Sequence, residues 1–257
     1  MTKWLRFEHD GSTGFGTLDG GTIQVHDGDM FNNPVASGST LALGDVTLLT
    51  PTEPSKMLAL WNNFHEMRIK VGGVVPDHPL FFLKSPNSFL ATNQEIRRPV
   101  GYDGRVVYEG EIGIVIGKTC SAISEEEAGD AIFGYSCIND VTAGDILKAD
   151  ETFDQWVRSK SFDTFGVYGP VVATGLNSDE LRIKTVLNGD ERQNYPVSDM
   201  IIPPKRLVSL LSHDVTLFAG DVICCGTSVG LGAMKESANT IEITIDGVGT
   251  LSNTFNN

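Results

Sequence analysis

The stretch Tyr108-Glu109-Gly110-Glu111-Ile112-Gly113-Ile114-Val115-Ile116-Gly117-Lys118 constrains this chain more than any other. Side chains alternate between the faces of a strand, so Glu109 and Glu111 share one face and Ile112, Ile114 and Ile116 the other. Carboxylates beside an apolar run are costly to bury unless a positive group lies between them. A hard divalent cation bound through oxygen is one such group. A solvated sheet face with two surface glutamates is the other reading these residues allow.

The formal net charge is −14, which argues against nucleic acid and anionic membrane as partners, since neither would meet a basic patch. It leaves room for a small anionic substrate, because one metal ion and a few lysines reverse the sign locally. The length of 257 residues suits one large domain preceded by a small one. Cys120, Cys137, Cys224 and Cys225 form no Cys-x-x-Cys pair, and adjacent Cys224 and Cys225 rarely bridge each other, so free buried thiols in a reducing compartment are expected. The charged start Met1-Thr2-Lys3-Trp4-Leu5-Arg6 is followed by no apolar h-region, and no apolar run is long enough to span a bilayer. The cytoplasm is the expected location.

Residues 1–52 read as a small antiparallel β module, with turn signals at Asp10-Gly11, Asp19-Gly20-Gly21 and Asp27-Gly28-Asp29 and with His9 and His26 exposed. Residues 53–257 form the second unit. A buried strand, Lys56 to Leu60, runs into Trp61-Asn62-Asn63-Phe64-His65-Glu66-Met67, a segment suited to a site at a sheet edge. Leu80-Phe81-Phe82-Leu83-Lys84 predicts a buried strand ending in a lysine, which is either a snorkelling surface residue or a pocket cation. Tyr102 to Arg105 predicts a hairpin turn. Ser124 with Glu127 has the capping-box spacing, so the acidic run there marks a helix start. Asp140 ends the next strand, where it could serve as a third oxygen ligand. Asp145 to Val157 predicts a helix with solvated acids. The Gly226-Thr227-Ser228 loop offers N–H groups and hydroxyls to a carboxylate or phosphate, without a P-loop's Gly-Lys-Ser/Thr.

Taken in order, these stretches resemble the fumarylacetoacetate hydrolase family over roughly residues 56–255. The series runs from Lys84 to the Glu109/Glu111 strand, Gly134-Tyr135, Asn139-Asp140 and Lys160-Ser161-Phe162-Asp163-Thr164-Phe165. It continues through Gly169-Pro170, Asn188-Gly189, Gly220-Asp221 and Gly226-Thr227, and closes with Gly247-x-Gly249-x-Leu251-x-Asn253. The resemblance implies a β-rich α+β fold of rolled, mixed sheets with peripheral helices, assembled as a homodimer. It implies Mg2+ or Mn2+ held by Glu109, Glu111 and Asp140. It implies a 2-oxo acid substrate, with Lys160 and Thr227 at its carboxylate end and Lys84, Asn63 and Gly226 among the substrate contacts. The implied chemistry passes through a metal-stabilised enolate.

Two departures bear on the reaction. Family hydrolases carry Asn-Tyr-x-x-His after the first buried strand; here Asn63-Phe64 match Asn-Tyr, and Met67 falls at the His position. His65, with Glu66 as partner, becomes the provisional base. Many members also carry Asp-x-x-Ala-Arg-Asp-x-Gln, whereas this chain has Gly144 and Leu147 at the Arg and Gln. C–C bond hydrolysis of an acylpyruvate-type substrate is the expected reaction. Decarboxylation, hydration or isomerisation of a 2-oxo acid is the alternative within the family, and a non-catalytic 2-oxo acid binding protein the alternative outside it.

Overall fold

A computed structural model describes residues 1–257. The chain opens as an antiparallel meander of β1 (Thr2–His9), β2 (Ser12–Asp19), β3 (Thr22–Asp29) and β4 (Asn32–Ala42), and β5 (Thr47–Leu48) returns to β1. β6 (Met57–Trp61), α1 (His65–Val71) and β7 (Leu80–Lys84) follow, then the short β8 (Phe89–Leu90), β9 (Glu95–Ile96) and β10 (Val106–Tyr108). Next come β11 (Gly110–Ile116), α2 (Glu125–Ala131), β12 (Ile132–Asp140), β13 (Thr142–Ala143), α3 (Trp156–Lys160) and β14 (Gly166–Thr174). The chain closes with β15 (Arg182–Leu187), β16 (Asp190–Pro196), α4 (Pro204–Asp214), β17 (Val222–Cys224), β18 (Gly232–Ala233), β19 (Ala238–Ile245) and β20 (Gly249–Asn256).

The large sheet has the order β4-β3-β2-β1-β14-β12-β11-β17-β6-β7, with β5 added on β1 and β8 on β14. It is mixed, because β17 lies antiparallel to β11 and parallel to β6. The opening meander is part of this sheet: β1 pairs with β14 through Thr2↔Thr174, Lys3↔Ala173 and Trp4↔Val172. A second sheet, β16-β15-β19-β20-β9, packs against it, and β13-β10-β18 form a third, small one. The fold is thus β-rich and mixed, with four helices around the sheets.

Every residue of β11 is buried. Ile112, Ile114 and Ile116 enter the main core with Ile183, Ile241 and Ile243 of the second sheet. Val115, on the opposite face, joins Met57, Phe82, Ile138 and Tyr168. That second face also carries Glu111, so the alternation read from sequence holds, and it places an acid inside the protein rather than on a solvated face.

Several local expectations need correction. Asp145 to Val157 forms turns, with a helix only at Trp156–Lys160. The acids Asp145, Asp150 and Glu151 are exposed, as expected; Asp150 accepts from Thr152 N (2.8 Å), and Asp145 accepts from the distant Arg105 N (3.0 Å). Tyr102 to Arg105 is a loop rather than a hairpin turn, because β9 pairs with β20 and β10 with β13 and β18. Asp27-Gly28-Asp29 lies at an irregularity inside β3–β4 pairing, not in a turn. β7 is an edge strand on which Leu80 and Leu83 are exposed while Phe82 and Lys84 point inward. His26 is half-buried, 5.0 Å from the Trp4 ring. The capping box at Ser124 and Glu127 forms as expected, and all four cysteines are free and buried. No helix is long and apolar enough to cross a membrane.

Burial raises the Cys137 thiol from an ordinary 9.0 to about 12 and the Tyr168 phenol from 10.0 to about 12. Both groups are neutral when folded and ionise more readily when unfolded. Their stabilisation is complete below pH 9 and is lost as pH rises toward 12. The urea midpoint should therefore fall steadily over that range, with Cys137 alone contributing up to about 4 kcal/mol. Cys137→Ala should flatten the slope; an unchanged slope would remove the thiol from this account.

Candidate metal centre

Pairing of β11 with β12 builds the site. The register sets Gly110 opposite Asn139, so Glu109 and Asp140 meet where the two strands end. Asp140 N donates to Glu109 O (2.9 Å), and Glu109 N donates to Asn139 Oδ1 (3.0 Å). Carboxylate oxygens of Glu109, Glu111 and Asp140 come within 4.8 Å of one another. Glu111 and Asp140 are buried, and Glu109 faces the opening with 15% of its side chain exposed.

Two buried lysines complete the cluster. Lys160, the last residue of α3, donates to Glu109 Oε2 (2.8 Å) and Asp140 Oδ2 (2.6 Å). Burial opposes its charge, but Asp140 and Glu109 outweigh that and hold the ammonium above its ordinary proton affinity. Those two carboxylates favour the ammonium form of Lys160. Lys84 donates to Asp140 Oδ1 (2.5 Å), Lys160 O (2.5 Å) and Val141 O (3.4 Å). Those contacts engage the whole ammonium, so Lys84 orients Asp140 and the end of α3 from behind rather than reaching a substrate. Burial, together with Lys160, holds Lys84 below its ordinary value against the pull of Asp140. Asp140 shows the reverse balance: burial raises it, and Lys160 and Lys84 bring it below the usual carboxylate range.

Glu111 is the acid without a protein counter-charge. Gly226 N donates to its Oε2 (2.9 Å), while Oε1 is buried with no partner. Burial, then Asp140 and Glu109, push this carboxyl well above its ordinary range. An unpartnered buried carboxylate oxygen facing two more carboxylates is a donor set for a hard divalent cation such as Mg2+ or Mn2+. The residues present fit such an ion. Three carboxylates against two ammonium groups leave one negative charge, which a divalent cation would turn positive.

Several residues that hold this cup were not read from the sequence. Thr142 donates to Glu109 Oε1 (2.8 Å). Gln193 accepts from Gly110 N (3.0 Å) and donates to Thr227 Oγ1 (2.9 Å), while Tyr195 OH donates to Gly110 O (2.5 Å). Gln193 and Tyr195 are the buried alternate positions of the otherwise mostly exposed stretch Asp190–Pro196, and that phase was the available signal. Gly110 is obligatory between the glutamates, since a Cβ there would lie 2.0 Å from Thr185 Oγ1. The 226–228 loop turns inward: Gly226, at φ +90°, serves Glu111, and Thr227 Oγ1 donates to Gly110 O (2.9 Å).

The proton-transfer candidates lie apart from this cluster. Asn63 is buried, donating to Cys225 O (2.9 Å) and accepting from Ile202 N (2.9 Å), so it ties α1's entry to the loop beside Glu111. His65 and Glu66 are exposed on the first turn of α1, and Glu66 N donates to Asp199 Oδ2 (3.0 Å). No hydrogen bond or ion pair links either side chain to the acids. Met67, at the His position of the resemblance, is a core residue.

A mixed β-fold whose central strand end and neighbouring strand present three acids and two lysines in one buried cup has the features of one enzyme family. The model for "Fumarylacetoacetate (FAA) hydrolase C-terminal" matches residues 56–256, and the chain belongs to that family. An N-terminal model, "Rv2993c-like, N-terminal", matches residues 2–51. Protein Rv2993c of Mycobacterium tuberculosis is 38% identical over 226 residues, covering 87% of this chain and 83% of the relative. Oxaloacetate tautomerase YisK of Bacillus subtilis is 36% identical over 225 residues, covering 82% and 74%. The crystal structure of 2-hydroxyhepta-2,4-diene-1,7-dioate isomerase from Mycobacterium marinum superposes with a TM-score of 0.90 at 33% identity, over 99% of this chain and 98% of that one.

Glu111→Gln keeps the shape of the side chain and removes its charge. Mn2+ affinity, measured by calorimetry on folded protein, should fall by more than the about 10–100-fold that an outer partner of a metal ligand costs. Unaltered affinity in both Glu111→Gln and Glu109→Gln would remove the cup as a metal site.

Proposed function

We propose that this protein is a divalent-metal-dependent enzyme that moves a proton within a small anionic 2-oxo acid, interconverting keto and enol or unsaturated isomers. The observation that carries this reading is the unpartnered, buried Glu111 oxygen beside Glu109 and Asp140, with the Lys160 ammonium bonded to both of those acids. Similarity to a tautomerase and to isomerases at 33–36% identity supports the reaction class. When bound by Glu109, Glu111 and Asp140, Mg2+ or Mn2+ would supply positive charge toward the carboxylate and keto oxygens of a 2-oxo acid.

The chain's own residues take the remaining tasks. Lys160, a fixed cation with one edge at the opening beside Glu109, adds charge stabilisation where the substrate's carboxylate enters. Lys84 keeps Asp140 and the Lys160 carbonyl in place, so the cup does not reorganise during reaction. His65 takes the proton from C3 and delivers it to the keto oxygen: the C3–H pair becomes the C2–C3 double bond, and the C2=O π pair moves onto the oxygen that receives the proton. Its exposed place on a short helix anchored by Asn63 suits a segment that closes over the opening. We include in this reading a homodimer of the chain, to be checked by sedimentation.

Hydrolysis of an acylpyruvate-type C–C bond is the second reading. Likeness to the Exiguobacterium antarcticum fumarylacetoacetate hydrolase, at 29% identity over 100% of this chain, favours it. The absence of a buried base fixed at the cluster favours proton shuffling, since hydrolysis also requires water to be positioned.

His65→Ala should lower turnover by about 10²–10⁴-fold, measured as exchange of the C3 proton into deuterated solvent. Near-normal exchange would leave His65 a bystander. Lys160→Met should abolish exchange while folded structure is retained. Two acid products from an acylpyruvate, with no catalysed C3 exchange on phenylpyruvate, pyruvate or oxaloacetate, would move the assignment to the hydrolase reading.

A further inference from the structure

A cleft of about 530 Å³ lies next to the acid cup, between β7, α3 and the turn at Leu147. Its wall is aromatic. Trp61 and Trp156 have ring centroids 5.3 Å apart, and Phe82 stacks on Trp156 at 5.2 Å with an interplanar angle of 22°. Leu80, Phe81 and Leu147 add aliphatic and aromatic surface. Trp61 and Leu80 are 37% and 44% exposed, so the wall faces open space rather than protein.

Phe82 joins the cleft to the cup. Its ring lies 5.4 Å from Lys160 Nζ, the ammonium that holds Glu109 and Asp140. For a 2-oxo acid held at the cup, the cleft on the other side of the Phe82 ring is apolar space adjoining the site. The charged groups in the cleft are Lys148 and Asp154, and they pair with each other at 2.5 Å. No unpaired cation there meets a second carboxylate.

We propose that this cleft is the subsite for the substrate's far end, and that it accepts an apolar aromatic or branched alkyl group. The substrate is then a 2-oxo acid bearing a single carboxylate and an apolar tail, rather than a dicarboxylate. This rests on the 2-oxo acid reading above and goes further by assigning the tail. Burial of a phenyl or isobutyl group against these rings favours binding, because the area leaving water is apolar on both sides. A second carboxylate in the same place loses hydration with nothing to replace it.

The test uses the full-length protein loaded with Mn2+ and calorimetric titration of pyruvate, 4-methyl-2-oxopentanoate, phenylpyruvate and 2-oxoglutarate. Phenylpyruvate and 4-methyl-2-oxopentanoate should bind at least about tenfold more tightly than pyruvate, and 2-oxoglutarate no more tightly than pyruvate. In Trp156→Ala the ratio of phenylpyruvate to pyruvate affinity should approach one. Because that change sits on the helix of Lys160, Leu147→Arg provides a second reading: a cation at the cleft should favour 2-oxoglutarate over phenylpyruvate. If pyruvate binds but tail chemistry makes no difference, or if 2-oxoglutarate binds most tightly to the unaltered protein, the cleft assignment is overturned while the 2-oxo acid reading stands. If neither pyruvate nor oxalate binds the Mn2+-loaded protein, the 2-oxo acid reading fails and the cleft assignment fails with it.

Discussion

Everything at the centre of this protein answers to one imbalance of charge. Glu109, Glu111 and Asp140 are gathered at the end of a buried strand, and only Lys84 and Lys160 oppose them. In a low-dielectric interior an unpaired carboxylate is far more costly than on the surface. The two lysines are therefore shared unequally: Asp140 receives both, Glu109 receives one, and Glu111 receives a backbone N–H alone. The cup is stable as a set and incomplete at one position, which is the condition for holding a cation with positions left for a substrate.

Such a cup needs a rigid frame, and the two sheets supply it. Gly110 leaves room for Thr185 and allows the second sheet to approach β11 closely enough for Gln193 and Tyr195 to hydrogen-bond to the backbone between the two glutamates. Gly226, in left-handed backbone, places an N–H on Glu111 from the third side. Both glycines act by removing a side chain at a point of close approach. The cup's geometry is thus fixed by hydrogen bonds to main chain, which do not depend on what sits on the rim.

The rim is where this chain differs from the pattern it resembles. Met67 packs in the core, and the imidazole available nearby belongs to His65, exposed two residues earlier. On the other side of the opening the lining is aromatic and aliphatic, with its one ion pair closed on itself. Within the family, relatives bear the names of tautomerases, isomerases and hydrolases.

The three acids of the candidate metal centre were legible in part from local rules. Alternation on one strand put Glu109 and Glu111 on one face and a strand end placed Asp140, while the resemblance, not the spacing, joined the three around one ion. The capping box at Ser124 was legible from local spacing. The tasks of Lys84, Gln193 and Thr227 were not, since each depends on what faces it from residues 34–117 positions away. The sequence by itself determined which residues of β11 share a face, because side-chain period is a property of the strand; that the acid-bearing face is buried came from packing. Only the tertiary structure decided which lysine reaches the opening, which is spent behind Asp140, and that an apolar cleft lies beside them. Those outcomes depend on how β7, α3 and the second sheet pack around β11, and packing between distant segments leaves no period in the chain.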